Sequence, residues 1–207
     1  MRILPLMAGL LAALLADAAL AATVTIHVKD AAGQPAPGVA VILRTAALMP
    51  VPPALPMVEI VQERLRFVPA VAVVTPGTRV RFTNRDAFDH HVKGSGGATF
   101  EFRIASATSA APQRPGEVVL QGGNGPVALG CHLHSVMSGS VYVSDSPYHG
   151  VTDAQGQVQI NGVPAGDAMV TLWHPQQLVE LPAVAVRVGA DATVLPVALN
   201  FVPRRRR

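Results

Sequence analysis

From Thr23 the chain alternates Thr-Val-Thr-Ile-His-Val, which sets Val24, Ile26 and Val28 on one side of an extended strand and polar residues on the other. A turn region rich in glycine and proline (30–38) separates this strand from a second one over 39–43. Four prolines then crowd residues 50–56; proline lacks the N–H a sheet interior needs, so a linker is expected there. A second block begins near Met57. Its apolar positions Phe67, Val71 and Val73 predict a strand over 66–74, ended by Thr75-Pro76-Gly77, and a further strand follows over 78–83. Residues 94–116 are mostly small and read as a long surface excursion, after which strands resume at 117–120, 127–130 and 140–143. In a third block, Asp153-Ala154-Gln155-Gly156 is a hairpin-turn signal ahead of strands at 158–160, 168–173, 183–188 and 193–199. Asn161 to Gly166 would link the first two of these. Short valine-rich runs between turn residues predict an all-β chain built of sandwiches.

Composition adds a compartment. Arg2 followed by the apolar stretch 3–15 and the small residues Ala19-Leu20-Ala21 reads as a secretory signal peptide over 1–21, with the mature start near Ala22. A retained anchor helix is the alternative, although Pro5 and Asp17 leave the run short for a bilayer. No later stretch is long enough to span a membrane, so a periplasmic or secreted protein is expected.

The formal charge of +3 changes meaning once its location is considered. Setting aside Arg2 and Arg204 to Arg207 leaves 11 of the 16 basic residues, and setting aside Asp17 leaves 12 of the 13 acidic ones. The body is near neutral and the basicity is a tail, 201–207, that could meet an acidic partner or simply be solvated. No basic stripe with interleaved aromatics points to nucleic acid.

Cys131 is the only cysteine among 207 residues. It has no partner for an internal disulfide, and a free thiol is a liability in an oxidising compartment. It is therefore either a small buried hydrophobe or a thiolate held by a metal. Its neighbours bear on that choice. Cys131, His134 and Met137 form a C-x2-H-x2-M loop, and a copper site of the blue type needs one thiolate, two imidazoles and a weak axial thioether. One loop cannot surround an ion, so the remaining ligand should come from another strand. The stretch Asn84 to Val92 offers the adjacent pair His90 and His91. Only one of the pair can face such a site, because neighbouring strand residues point to opposite sides. Met137 alone would suit core packing equally well.

The stretches "FVPAVAVVTPGTRVRFTNRDAFDHHV" and "LGCHLHSVMSGSVYV" together resemble the cupredoxin family, its amicyanin/plastocyanin branch in particular, over about residues 58–144. The whole chain also looks like plastocyanin-like proteins often labelled methylamine-utilisation proteins. The resemblance implies a Greek-key β-sandwich, 57–145, binding one copper ion through His90, Cys131, His134 and Met137. His91 stands where the family usually has Asn and remains an alternative or auxiliary ligand. Asn84 matches the family's residue that hydrogen-bonds across to the ligand loop. His134, with Leu133, Val136 and Phe88, matches its electron port. His132 would point away from the ion. Separately, "KDAAGQPAPGVAVIL" and "VTDAQGQVQINGVPAGDAMVTLW" resemble the two halves of a carboxypeptidase regulatory-like (transthyretin-like) sandwich, 22–49 and 146–200, into which the cupredoxin would be inserted. Two sandwiches in series are the other possible organisation.

The function these resemblances imply is single-electron transfer between transient protein partners, by a monomer. Copper sequestration or delivery, with His91 and His132 recruited, is a second reading. A non-redox interaction module is a third. No Ser-His-Asp arrangement or paired carboxylates suggest an enzyme. His27, His149 and His174 are expected to be ordinary histidines, with His174 the candidate for a second metal site.

Overall fold

A computed structural model describes residues 21–46, 52–123 and 125–204. The proposed signal segment before Ala21 and the final three arginines lie outside the described residues. The described chain is all-β. Two strands come first, β1 (Ala21–Lys29) and β2 (Ala40–Thr45). The middle of the chain supplies β3 (Val58–Glu63), β4 (Arg66–Val68), β5 (Val71–Val74), β6 (Thr78–Asn84), β7 (His90–Gly96), β8 (Phe100–Ile104), β9 (Gly116–Leu120), β10 (Gly125–Cys131) and β11 (Ser138–Val143). The end supplies β12 (His149–Val151), β13 (Gln157–Pro164), β14 (Gly166–Trp173), β15 (Val184–Val188) and β16 (Thr193–Ala198).

The middle strands make two facing sheets, ordered β5-β11-β10-β7-β8 and β4-β3-β6-β9. The first and last strands make two more, β13-β1-β16 and β12-β2-β14-β15. β1 and β2 thus hydrogen-bond to strands from the far end of the chain and not to β3–β11. Parallel neighbours β3/β6 and β5/β11 sit beside antiparallel pairs, as sheets crossed by long connections require.

The hydrophobic pattern accounts for both cores. Val24, Ile26 and Val28 are fully buried, while His27 on the other face of β1 is not. In the middle unit Ile60, Phe67, Val80, Phe82, Val92, Ile104, Val127 and Val141 fill the space between the sheets. A third cluster, Ala40, Ile42 and Tyr142 with Val73 and Trp173 against it, joins the two sandwiches. There the rings of Tyr142 and Trp173 lie 5.6 Å apart, and Arg44 pairs with Asp145 at 2.6 Å.

Three local expectations change. Pro69 cannot donate to a ladder, and the strand expected over 66–74 is two, β4 and β5. The connection expected at Asn161 to Gly166 is largely strand, with β13 running on to Pro164. The excursion over 94–116 contains β8, which pairs with β7 in register from His90/Ile104 to Gly94/Phe100. Phe100 and Phe102 on β8 lie over Gly94 and Gly116, where a Cβ atom would collide with their rings. The two glycines are what lets these aromatics reach the Phe82 ring, at 5.6 and 6.2 Å between centroids.

Candidate metal centre

His90 is the first residue of β7 and Cys131 the last of β10, and these strands are neighbours, with Cys131 opposite Val92. The loop after Cys131 turns back at once: the Met137 N–H donates to the His134 carbonyl at 3.0 Å. This brings the His134 ring over the end of the sheet. Cys131 Sγ lies 3.7 Å from His90 Nδ1 and 3.5 Å from His134 Nδ1, and the two Nδ1 atoms are 3.2 Å apart. A point equidistant from the three donors would sit roughly 2 Å from each, which is the bond length transition ions make to imidazole and nearly that to thiolate. The donor set fits a soft or borderline metal. Among the described residues this is the one group of three such donors within 4.8 Å of one another.

The trio is shielded. His90 is fully buried, Cys131 is buried, and His134 is half-buried. Met137 is buried in the same apolar cluster as Cys131. The sulfur accepts a hydrogen bond from the His91 N–H at 3.4 Å, which ties it to β7.

His90 is aimed by Asp86. Its Nε2 meets Asp86 Oδ2 at 2.9 Å. A carboxylate only accepts, so Nε2 carries the proton and the lone pair of Nδ1 is left facing Cys131 and His134. Asp86 also accepts the backbone N–H groups of Arg64 at 2.6 Å and Leu65 at 3.1 Å. These two residues form the β3–β4 turn at φ of 54° and 60°, a left-handed conformation non-glycine residues adopt reluctantly. Burial pushes the Asp86 carboxyl up; the hydrogen bonds from Leu65, His90 and Arg64 outweigh it and hold the group below its ordinary value. Asp86 thus stays ionised while gripping both a strained turn and the His90 ring. The only signal in the sequence was an Asp four residues before a His, a spacing common in turns.

The other expected residues fall as follows. Asn84 is buried, but its amide does not reach the 131–137 loop in any hydrogen bond described. Its Nδ2 donates to the carbonyls of Phe88 at 2.8 Å and Ala105 at 3.0 Å, and its Oδ1 accepts the Asp86 N–H at 2.8 Å. It therefore shapes the turn that delivers Asp86 and His90, a role nearer the strand than expected. His91 occupies the opposite side of β7 from His90, half-exposed and beside the exposed His132. Phe88 packs at steep angles against both inward imidazoles, its centroid 5.3 Å from that of His90 at 66° and 5.1 Å from that of His134 at 58°. Phe88, Leu133 and Val136 are 41%, 51% and 71% exposed, an apolar rim around the one donor, His134, that approaches the surface. His27 and His149 lie in the other sandwich, and His174 is buried there with its Nδ1 accepting the Gln176 N–H.

No protein-family model and no curated protein matches the chain. Among solved structures it is similar to a Cu(I) form of an amicyanin variant (20% identity, 42% of this chain and 81% of that one, TM-score 0.36). It is similar also to the purple cupredoxin of Nitrosopumilus maritimus (20%, 42% and 99%, TM-score 0.32). A third is the Cu-containing nitrite reductase of Thermus scotoductus SA-01 (20%, 56% and 28%, TM-score 0.36). Likeness at this level does not by itself assign the chain to a family. Among the described residues no helix is long and apolar enough to cross a membrane.

Proposed function

We propose that this chain is an exported blue copper protein of the cupredoxin kind, holding one ion through His90, Cys131, His134 and the weaker donor Met137. One observation carries the reading: a single sulfur and two Nδ1 atoms, from stretches forty residues apart in the chain, meet at 3.2–3.7 Å around a common centre. Copper there would supply a one-electron couple between Cu(I) and Cu(II). The protein's part is to hold its donors still while the charge changes. His90 is fixed at its far nitrogen by Asp86, Cys131 by the strand end and the His91 N–H, and His134 by the short return of the loop.

With four protein donors no position is left for a substrate, so the reading is an electron carrier and not an enzyme. The apolar rim of Phe88, Leu133 and Val136 suits brief docking of redox partners over the His134 edge, since such contacts are small. We read residues 57–145 as the copper-binding unit, inserted in a sandwich of 22–49 and 146–200, and 1–21 as the export signal. The pairing of β1 and β2 with β12–β16 supports the first of these divisions. The test is voltammetry of the copper-loaded protein. A reversible one-electron wave supports electron transfer, whereas a redox-silent, rapidly exchanging ion contradicts it and favours copper delivery.

A further inference from the structure

Behind the inward-facing donors lies a second group of imidazoles that electron transfer does not use. Residues next to each other in a strand face opposite ways, so His91 leaves the outer face of β7 as His90 enters the inner one. His132, next after Cys131, donates its N–H to the His91 carbonyl at 3.0 Å and is exposed. The two rings lie 5.0 Å apart between centroids at 50°. Glu101 on β8 stands two residues from Arg103, the cross-strand partner of His91, and so shares its face. One of its carboxylate oxygens is 3.6 Å from His91 Nε2, too far for a hydrogen bond.

We propose that His91, His132 and Glu101 form a second, exchangeable site for a divalent first-row transition ion on the outside of the sheet, with Cu(II) preferred to Zn(II). Two imidazoles and a carboxylate make a donor set for such ions, and the order of affinities places Cu(II) above Zn(II). An ion between His91 and Glu101 would replace a contact that is no hydrogen bond, and the exposed His132 ring turns in to complete the set, since the three donors do not yet all lie within 4.8 Å of one another. Two cations share this face. Arg103 is engaged by Asp89 at 3.0 Å, and Lys93 stands across from Glu101 in the ladder, where it competes mildly for the carboxylate. Three protein donors at an exposed position leave room for water, which makes the ion exchangeable where the buried one is enclosed. The proposal rests on these three side chains and not on the nature of the buried ion.

The experiment is titration of the full-length mature protein with Cu(II), followed by calorimetry and electron paramagnetic resonance. Protein already holding one equivalent takes up a second, whose spectrum is of the ordinary tetragonal type with hyperfine structure from two nitrogens. His91→Ala and His132→Ala each weaken this second equivalent by roughly tenfold or more, Glu101→Gln by less, and all three leave the first in place. Cys131→Ser protein still binds the outer equivalent, so failure of the blue-copper reading would not remove it. The proposal is overturned if no second equivalent binds, or if it persists in both histidine variants, which would put it at another histidine. It is equally overturned if His91→Ala releases the first equivalent, which would make His91 a ligand of the buried ion.

Discussion

Replacing Asp86 tests the account at its least expected point. The carboxylate receives three hydrogen bonds, from His90 Nε2 and from the N–H groups of Arg64 and Leu65. Bonds to a charged group contribute about 1.5–3 kcal/mol each, and the donor left behind costs most where water cannot reach it. Arg64 is exposed, so solvent can replace part of that contact, but His90 is fully buried and its Nε2–H would have no substitute. The turn at Arg64 and Leu65 would also lose the acceptor that holds both residues in the left-handed region. Together these give a loss of roughly 3 kcal/mol for Asp86→Ala in the metal-free protein. For a chain of this size that lowers the unfolding midpoint by roughly 6–12 °C. Asp86→Asn separates the two roles. An amide NH2 placed against His90 Nε2 requires that nitrogen to accept, which moves the ring proton to Nδ1, the atom facing Cys131. Copper affinity, read by competition with a chelator, should fall by about 10–100-fold. A midpoint within a degree or so of the parent for Asp86→Ala, together with unchanged affinity for Asp86→Asn, would refute this account of the site's support.

Three other perturbations bear on the frame. Gly156 sits at φ 72° with its Cα hydrogen against the backbone of Val28, Ala36 and Pro35, so Gly156→Ala meets main chain and destabilises by about 2 kcal/mol or more, measurable by urea unfolding. Phe82→Ala empties the centre of the middle sandwich under Phe100 and Phe102 and should cost about 3–5 kcal/mol in the same assay; a loss below about 1 kcal/mol would mean that core is not the one described. Burial holds His149 and His174 below the ordinary imidazole value of 6.5. The unfolded chain therefore takes up protons first as pH falls below 6.5, and stability drops until the folded imidazoles also protonate. His174→Gln should flatten that slope in unfolding free energy against pH, and an unchanged slope would contradict it.

The parts of this structure that could be read from sequence are those encoded locally. Alternation in β1 identified the buried face of Val24, Ile26 and Val28, and Asp153 to Gly156 identified a hairpin turn that the structure contains, with Asp153 Oδ1 accepting two N–H groups. The spacing from Cys131 to Met137 singled out a loop, and the structure draws Cys131 and His134 to His90 and leaves His91 outside. The misses differ in kind. β8 does alternate, Phe100-Glu101-Phe102-Arg103-Ile104, but the run is short and stands between stretches of glycine, alanine and serine that read as loop. What the sequence does not display is that its aromatics are held by the bare faces of Gly94 and Gly116. The grip of Asp86 on His90 depends on the β3–β4 turn twenty residues earlier, and the partners of Asn84 depend on where β8 ends. Such side-chain bonds form only once distant strands are in register.

The central claim, that one thiolate and two imidazoles bind a single copper ion, is tested most directly by the visible spectrum of the Cu(II)-loaded protein beside that of Cys131→Ser. The account predicts an intense band at about 600 nm, from sulfur-to-copper charge transfer, in the parent and its loss in the variant. A parent that stays colourless with copper bound, or a variant that keeps the band, would contradict it.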